Sequence, residues 1–172
     1  MSRDIEQQDF GWDSFMEIKY LSDVQDIIEQ LKNQEYQLIR IQHILTNAKQ
    51  NKQNVYVYGK CSKVAKQFVH DLNYRCNVRA ILVDNYLLKV FFNKSDVLIM
   101  MSDESADKVV SDAIDYVNKG NGLTIGLCGL HSNAIISKCN TSITVQSESE
   151  SIVKIMHYLI EQLIVDVLQR KA

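Results

Sequence analysis

The sequence predicts an α/β fold, a three-layer sandwich in which helices cover both faces of a five-stranded parallel sheet. Short runs that are apolar throughout alternate with segments whose apolar residues recur at helical spacing. Continuously apolar runs are typical of parallel strands, because such strands are buried on both faces. No linker rich in proline or glycine interrupts the pattern, so we expect residues 13–172 to form a single domain and residues 1–12 to be mobile.

The predicted elements follow from apolar residues spaced three and four positions apart and from short β runs. Two helices fill residues 13–50, with a break at Asn33-Gln34. A long terminal helix occupies residues 148–169, and Lys119-Gly120 is the expected C-terminal cap of the helix before the fourth strand. The predicted strands are residues 55–58, 80–83, 97–101, 123–127 and 142–145.

Composition and charge exclude several classes of protein. The formal net charge of -2 and a pI near 6.1 argue against a nucleic-acid-binding surface, which is usually basic. No stretch approaches the roughly 20 apolar residues that span a bilayer, and the first ten residues do not resemble a secretory signal. We therefore expect a cytoplasmic protein that contacts neither nucleic acid nor membrane.

The four cysteines show none of the close spacings that hold a metal. Cys61, Cys76, Cys128 and Cys139 include no Cys-x-x-Cys pair. His131 lies near Cys128, but a zinc site would need further paired ligands. We expect free thiols, no metal and no cofactor.

Serine residues follow several of the predicted strands, where ligands of parallel sheets bind. Ser62, Ser102 and Ser147 lie in loops that lead from a strand into a helix. Serine at such a position often caps the helix. Several hydroxyls and helix N-termini at one edge would also form an anion site, for which phosphate is the obvious ligand.

The order of these segments resembles a known family. Strand, Gly59-x-x-Ser62 and helix are followed by a strand over residues 96–102, by Thr124-Ile125-Gly126-Leu127-Cys128-Gly129, and by residues 143–147 before a helix with Met156-His157. This succession resembles the sugar isomerase (SIS) domain, and most closely its phosphoheptose isomerase branch, over about residues 20–170. The resemblance implies a flavodoxin-like sheet, a sugar-phosphate ligand and a homodimer or homotetramer.

The resemblance also implies which residues bind the ligand. It places Ser62, Ser102 and Ser147 against the phosphate, and we add Lys60 and Ser105 of the same loops as candidate substrate-binding residues. The family's phosphate loop reads Ser-x-Ser-Gly-x-Ser/Thr, whereas residues 102–107 here place acidic residues at two of the hydroxyl positions, Glu104 and Asp107. Two carboxylates at ~4–6 Å from a dianion would repel it by roughly a few kcal/mol at an effective dielectric constant near 20.

The catalytic positions of the family differ as well. Phosphoheptose isomerases move protons through an enediol with a glutamate on the first core helix and a histidine on the last. With one deletion after Ser62, the resemblance places Asp71 at the glutamate and Gln162 at the histidine. Glutamine does not exchange protons near neutral pH. Asp71 is therefore the candidate catalytic residue, and a solvated helix residue is the alternative.

Three functions remain open from the sequence. The first is a non-catalytic SIS protein that binds a phosphorylated sugar. The second is an aldose–ketose phosphosugar isomerase in which Asp71 is the base and His157 or His70 the acid. The third is an oligomeric interaction protein without a sugar ligand, favoured by Glu104, Asp107 and the apolar last helix.

Overall fold

The computed structural model describes residues 13–59, 62–102 and 108–170, and it has the α/β architecture that the sequence predicts. The prediction for residues 1–12 lies outside the described residues. Each strand lies within two residues of its predicted position. The strands are β1 Val55–Gly59, β2 Ala80–Leu82, β3 Val97–Ser102, β4 Leu123–Gly129 and β5 Thr141–Val145. The helices are α1 Asp13–Lys32, α2 Glu35–Gln50, α3 Ser62–Tyr74, α4 Asn85–Phe91, α5 Lys108–Lys119, α6 Asn133–Ile136 and α7 Glu150–Arg170.

The five strands form one parallel sheet in the order β2-β1-β3-β4-β5. This is the flavodoxin-like order, in which strand order reverses next to β1. The prediction of a flavodoxin-like parallel sheet is confirmed. In such a sheet all strands end at one edge, here called the carboxyl edge, and all begin at the opposite amino edge.

Helices cover both faces of the sheet. Residues of α1, α2, α3 and α7 pack with one set of strand side chains, and residues of α4, α5 and α6 pack with the other set. Along β3 the alternation is direct, because Val97, Ile99 and Met101 face the first layer while Leu98 and Met100 face the second. Both faces of β3 are buried, which explains why its sequence is apolar throughout.

The break between α1 and α2 has a structural role. Gln34 lies at the predicted break and reaches across to β5, the strand at one end of the sheet. Its Nε2 donates to the carbonyl oxygen of Thr144 at 2.8 Å, and its Oε1 accepts from the N–H of Thr144 at 2.9 Å. The side-chain amide thus satisfies backbone groups that an end strand would otherwise expose.

Asp96, which precedes β3, joins the beginnings of two strands. It is buried, and its carboxylate accepts hydrogen bonds from the backbone N–H groups of Asn54 at 2.9 Å and Asn93 at 3.0 Å. These bonds hold the amino ends of β1 and β3 together. An acidic residue is needed here because one carboxylate can accept from several N–H groups.

The C-terminal cap of α5 differs in detail from the prediction. The helix ends at Lys119 as predicted, but the left-handed residue is Asn121, with φ 58°. The N–H of Gly122 bonds the carbonyl oxygen of Val117 at 3.0 Å and closes a Schellman turn. Gly120 is required for space, since a Cβ there would lie 2.7 Å from Cε1 of Phe92.

Candidate functional site

The carboxyl edge of the sheet carries the loops in which the sequence predicts a phosphate site. Gly59 at the end of β1 is paired with Met101, and Ser102 at the end of β3 is paired with Cys128. Gly129 is paired with Val145, the last residue of β5. The register therefore brings the beginning of α3, residue 102 and the β5–α7 loop to the same edge.

The predicted substrate-binding residues are described to different extents. Ser62 is the first residue of α3, and Ser102 is half-buried at the end of β3. Lys60 and Ser105 lie outside the described residues. Ser147 is half-buried two residues beyond β5, and its Oγ accepts a hydrogen bond from the N–H of Ser149 at 3.1 Å. The Ser147 O–H group can still donate to a ligand.

A different serine from the predicted one caps α7. The helix begins at Glu150, and the carbonyl oxygen of Ser149 accepts the first backbone bond, from Val153 at 3.0 Å. The Oγ of Ser149 also accepts from the N–H of Ile152 at 3.4 Å. Ser149 is therefore the N-cap of α7, and Ser147 stabilises the turn that precedes it.

Asp71 lies in a second cluster of polar groups, between the last turn of α3 and the middle of α7. The residue is 4% exposed, so the alternative of a solvated helix residue is wrong. Its Oδ2 accepts from Nε2 of Gln162 at 3.1 Å, and its Oδ1 accepts from Nε2 of Gln67 at 3.1 Å. His70 Nδ1 lies 3.2 Å from Oδ1, and Arg75 Nη1 lies 3.4 Å from Oδ2. The structure thus brings together the two positions that the resemblance assigns to catalysis.

These contacts set the charge of Asp71. Burial by itself would raise the pKa of the carboxyl, because it removes water from the charged form. Hydrogen bonds from Gln162, Gln67 and His70 and the positive charge of Arg75 outweigh burial, so the pKa lies below its ordinary value. Asp71 is therefore ionised at neutral pH, and its proton affinity is weaker than that of a free carboxylate.

Arg75 ties this cluster to the last helix. Its Nη1 donates to Oε1 of Gln162 at 2.9 Å. Its Nη2 donates to Oδ1 of Asp166 at 2.8 Å and to Oε1 of Gln169 at 3.0 Å. One guanidinium therefore contacts three residues on successive turns of α7, which links α3 to α7.

Glu161 is a candidate residue that the sequence reasoning missed. It is 0% exposed, and neither carboxylate oxygen has a hydrogen-bond partner among the described residues. Burial, together with the negative charge of Asp71, raises the pKa of Glu161 to about 8, although the charge of Arg75 acts in the opposite direction. The signal was present in the sequence, because Glu161 occupies an apolar position of the α7 stripe beside Ile160.

An ionised carboxylate and a protonated carboxylic acid therefore occur in one cluster. Carboxyl groups with separated pKa values can act as a base and an acid near neutral pH, but Glu161 is 0% exposed and so has no access to a ligand. Asp71 is nine residues beyond Ser62 on α3, which places it about 14 Å along the helix from the carboxyl edge. The Asp71 cluster is therefore separate from the loops at the carboxyl edge.

The described cysteines are free thiols, of which Cys76 and Cys128 are buried and Cys139 is half-buried. Cys76, Cys128 and Cys139 form no disulfide, and burial raises the pKa of each. Within residues 13–59, 62–102 and 108–170, no group of three histidine, cysteine or acidic side chains could hold a metal ion. His131 instead lies with Nε2 2.9 Å from Oε2 of Glu148, and this contact joins two loops at the carboxyl edge.

Solved structures of phosphoheptose isomerases and of a protein complexed with ManNAc-6P share this fold, whereas no family model and no curated protein sequence matches the chain. A phosphoheptose isomerase from Francisella tularensis is 17% identical with a TM-score of 0.80, over 94% of this chain and 100% of that chain. A phosphoheptose isomerase from Neisseria gonorrhoeae is 12% identical with a TM-score of 0.79, over 92% of this chain and 98% of that chain. The Vibrio vulnificus NanR protein, complexed with ManNAc-6P, is 16% identical with a TM-score of 0.70, over 87% of this chain and 61% of that chain.

The described residues contain no helix that is both long and apolar enough to cross a bilayer. The five-stranded order, the flanking helices and the near-complete superposition on both isomerases agree with the fold that the sequence resemblance implied. The chain has the fold of the phosphoheptose isomerases and of other SIS-domain proteins.

Proposed function

We propose that this chain binds a phosphorylated sugar at the carboxyl edge of its sheet and does not isomerise it. Structures with this fold include sugar-phosphate isomerases and a protein complexed with ManNAc-6P. The register of β1, β3 and β5 gathers the serine-bearing loops at one edge, which supports a phosphate site there.

The observation that carries the non-catalytic part is the contact between Gln162 and Asp71. Isomerisation through an enediol needs one group that removes a proton and another that donates one. Gln162 stands where the resemblance places the histidine, and its amide cannot titrate. Its contacts with Asp71 and Arg75, at 3.1 and 2.9 Å, are those of a structural bridge between α3 and α7.

A panel of sugar phosphates tests the binding. Isothermal titration with sedoheptulose 7-phosphate, ManNAc-6-phosphate and related esters should identify a ligand. Ser102→Ala should weaken its binding by about tenfold, since hydrogen bonds to a charged phosphate are strong. The control is Ser137→Ala, an exposed serine whose Oγ contacts the carbonyl oxygen of Ala134. If no sugar phosphate in the panel binds, the third function, an oligomeric interaction protein without a sugar ligand, is favoured.

An isomerase assay tests the proposal that the chain does not catalyse isomerisation. We expect no isomerisation of sedoheptulose 7-phosphate above the uncatalysed rate. The prediction drawn from the sequence of the phosphate loop is that Glu104→Ser tightens sugar-phosphate binding, because it removes a negative charge. Turnover that disappears in Asp71→Asn would contradict the proposal.

Such a result would support the second candidate, an aldose–ketose isomerase. The specific observation in its favour is His70, whose exposed ring lies with Nδ1 3.2 Å from Oδ1 of Asp71. In that enzyme Asp71 would remove the proton and His70 would return one. His70→Gln would then abolish turnover while leaving sugar-phosphate affinity within about twofold, because the proposed phosphate contacts are at the other end of α3.

We also propose that copies of the chain associate through α1, α2 and α7. A groove of about 400 Å³ lies between these helices and is lined mainly by apolar side chains. Ile28 and Leu163 are exposed there, and Ile155 and Tyr158 of α7 are also exposed. Large apolar side chains that share one face are typical of a protein interface. The lining includes Ile28, Leu31, Leu38, Leu159 and Leu163.

A further inference from the structure

A second groove lies at the amino edge of the sheet, far from the serine-bearing loops. It has a volume of about 340 Å³ and lies between the end of α2 and the loop that joins α3 to β2. Lys49, Lys52 and Arg79 line it, together with the side-chain amides of Gln50, Gln53 and Asn77. Among the described residues that line the groove, none is acidic.

The charge of this groove is not neutralised locally. Within the described part of the chain, Lys49, Lys52 and Arg79 form no ion pair, although the chain as a whole carries a net charge of -2. Helices α2 and α3 end near the groove, and a helix C-terminus carries about half a negative charge. Three full positive charges exceed these two partial charges, so the groove is positive overall.

The backbone at Lys52 gives an independent observation. Lys52 has φ 55°, a left-handed conformation that is unfavourable for any residue with a side chain. It stands in a Schellman turn at the end of α2, where Gln53 N–H bonds the carbonyl oxygen of Ala48 at 2.9 Å and Lys52 N–H bonds that of Lys49 at 3.2 Å. Glycine is the residue usually found at this position. Lys52 therefore lines the groove from a backbone conformation that glycine would adopt more easily.

We propose that this groove binds a small polyanion, a diphosphate or a phosphate ester. Its volume lies at the lower end of small-molecule sites, which are about 300–1,000 Å³. The three cations match two or three negative charges, and the amides of Gln50, Gln53 and Asn77 supply neutral donors for the remaining oxygens. The site is separate from the sugar-phosphate site, because β1 and β2 begin at this edge and end at the other.

Binding of inorganic pyrophosphate at constant ionic strength tests the proposal. Isothermal titration should show that Lys52→Gly and Arg79→Gln each weaken binding by about tenfold, the effect of losing one charge-assisted contact. Lys52→Gly should fold at least as well as the parent chain, since glycine adopts the left-handed conformation without cost. Lys19→Gln, which removes an exposed lysine of α1, is the matched control and should leave binding unchanged.

NMR measurements of amide chemical shifts locate the pyrophosphate site independently. On addition of pyrophosphate we expect shifts at residues 49–53 and 77–79, and these should disappear in the Arg79→Gln chain. Shifts confined to residue 102 and residues 146–149 would overturn the proposal, because they would place the anion at the carboxyl edge. Equal affinity in the parent chain, Lys52→Gly and Arg79→Gln would overturn it as well.

Discussion

Gln162 donates from Nε2 to Oδ2 of Asp71 at 3.1 Å and accepts at Oε1 from Arg75 at 2.9 Å. Both ends of the amide are therefore used, one by an anion and the other by a cation. An amide makes these two contacts without a change of charge, so the bridge between α3 and α7 holds over a wide range of pH. This is the arrangement of a structural joint at a position where the resemblance expects a proton donor.

The first prediction concerns Asp71 as part of this joint. Asp71→Asn replaces a buried acceptor of several hydrogen bonds by an amide that meets other donors. The free energy of unfolding should fall by about 1–3 kcal/mol. Urea denaturation measures it. Asp166→Asn is the control, because the exposed partner of Arg75 should contribute less than about 1 kcal/mol. Equal effects of the two substitutions would contradict the assigned role of Asp71.

The second prediction concerns the pH dependence caused by Glu161. Its pKa is about 8 in the folded chain and 4.5 without burial, so between these values the folded state holds a proton that the unfolded state has released. The free energy of unfolding should therefore fall as pH rises through this window, by at most about 1.4 kcal/mol per pH unit. Glu161→Gln should remove this slope and be the more stable chain at pH 8.5.

Urea denaturation from pH 5 to pH 9 measures that slope. Glu150→Gln is the matched control, since Glu150 is an exposed acid on the same helix, and its substitution should leave the profile unchanged. Asp71 acts in the opposite direction, because its lowered pKa removes stability as pH falls through that value. A parent chain whose stability is constant from pH 5 to pH 8 would contradict the assignment to Glu161.

Most of the fold could be predicted from the sequence, because strands that are buried on both faces are apolar at nearly every position. The strands β1 and β3 are apolar at nearly every position, and each predicted strand lies within two residues of the observed one. The capping turn of α5 was less predictable, because asparagine also adopts the left-handed conformation, as Asn121 does. A glycine can be required either by a left-handed backbone conformation or by close packing, and the sequence alone does not show which.

The candidate site was less predictable because it depends on contacts between distant residues. From the sequence, Asp71 is either catalytic or solvated, because the polar residues around it on α3 give no sign of its burial against α7. Glu161 occupies an otherwise apolar position of the α7 stripe, and that position is the one sign in the sequence of its burial. The cations of the amino-edge groove, Lys49, Lys52 and Arg79, come from two separated segments that the sheet brings together.

The third prediction concerns Gln34 at the end of the sheet. Gln34→Ala removes two hydrogen bonds to the backbone of Thr144, which lie at 2.8 and 2.9 Å. The free energy of unfolding should fall by about 1 kcal/mol, and hydrogen exchange of the Thr144 amide should accelerate. Gln25→Ala removes an exposed glutamine of α1 and is the control. An unchanged exchange rate at Thr144 would show that the side chain does not protect the strand.

The last prediction concerns self-association through α1, α2 and α7. Leu163→Lys places a charge in the apolar groove between these helices, where Leu163 is 43% exposed, so the single chain should fold normally. Light scattering should show an oligomer for the parent chain at micromolar concentration and a monomer for this variant, because burial of an unpaired charge in an interface is costly. Leu87→Lys is the matched control: Leu87 is 38% exposed on α4, on the other side of the sheet, and its substitution should leave the oligomer intact. A parent chain that is monomeric under these conditions would refute the interface, and loss of assembly in both variants would show that it does not lie on the α7 face alone.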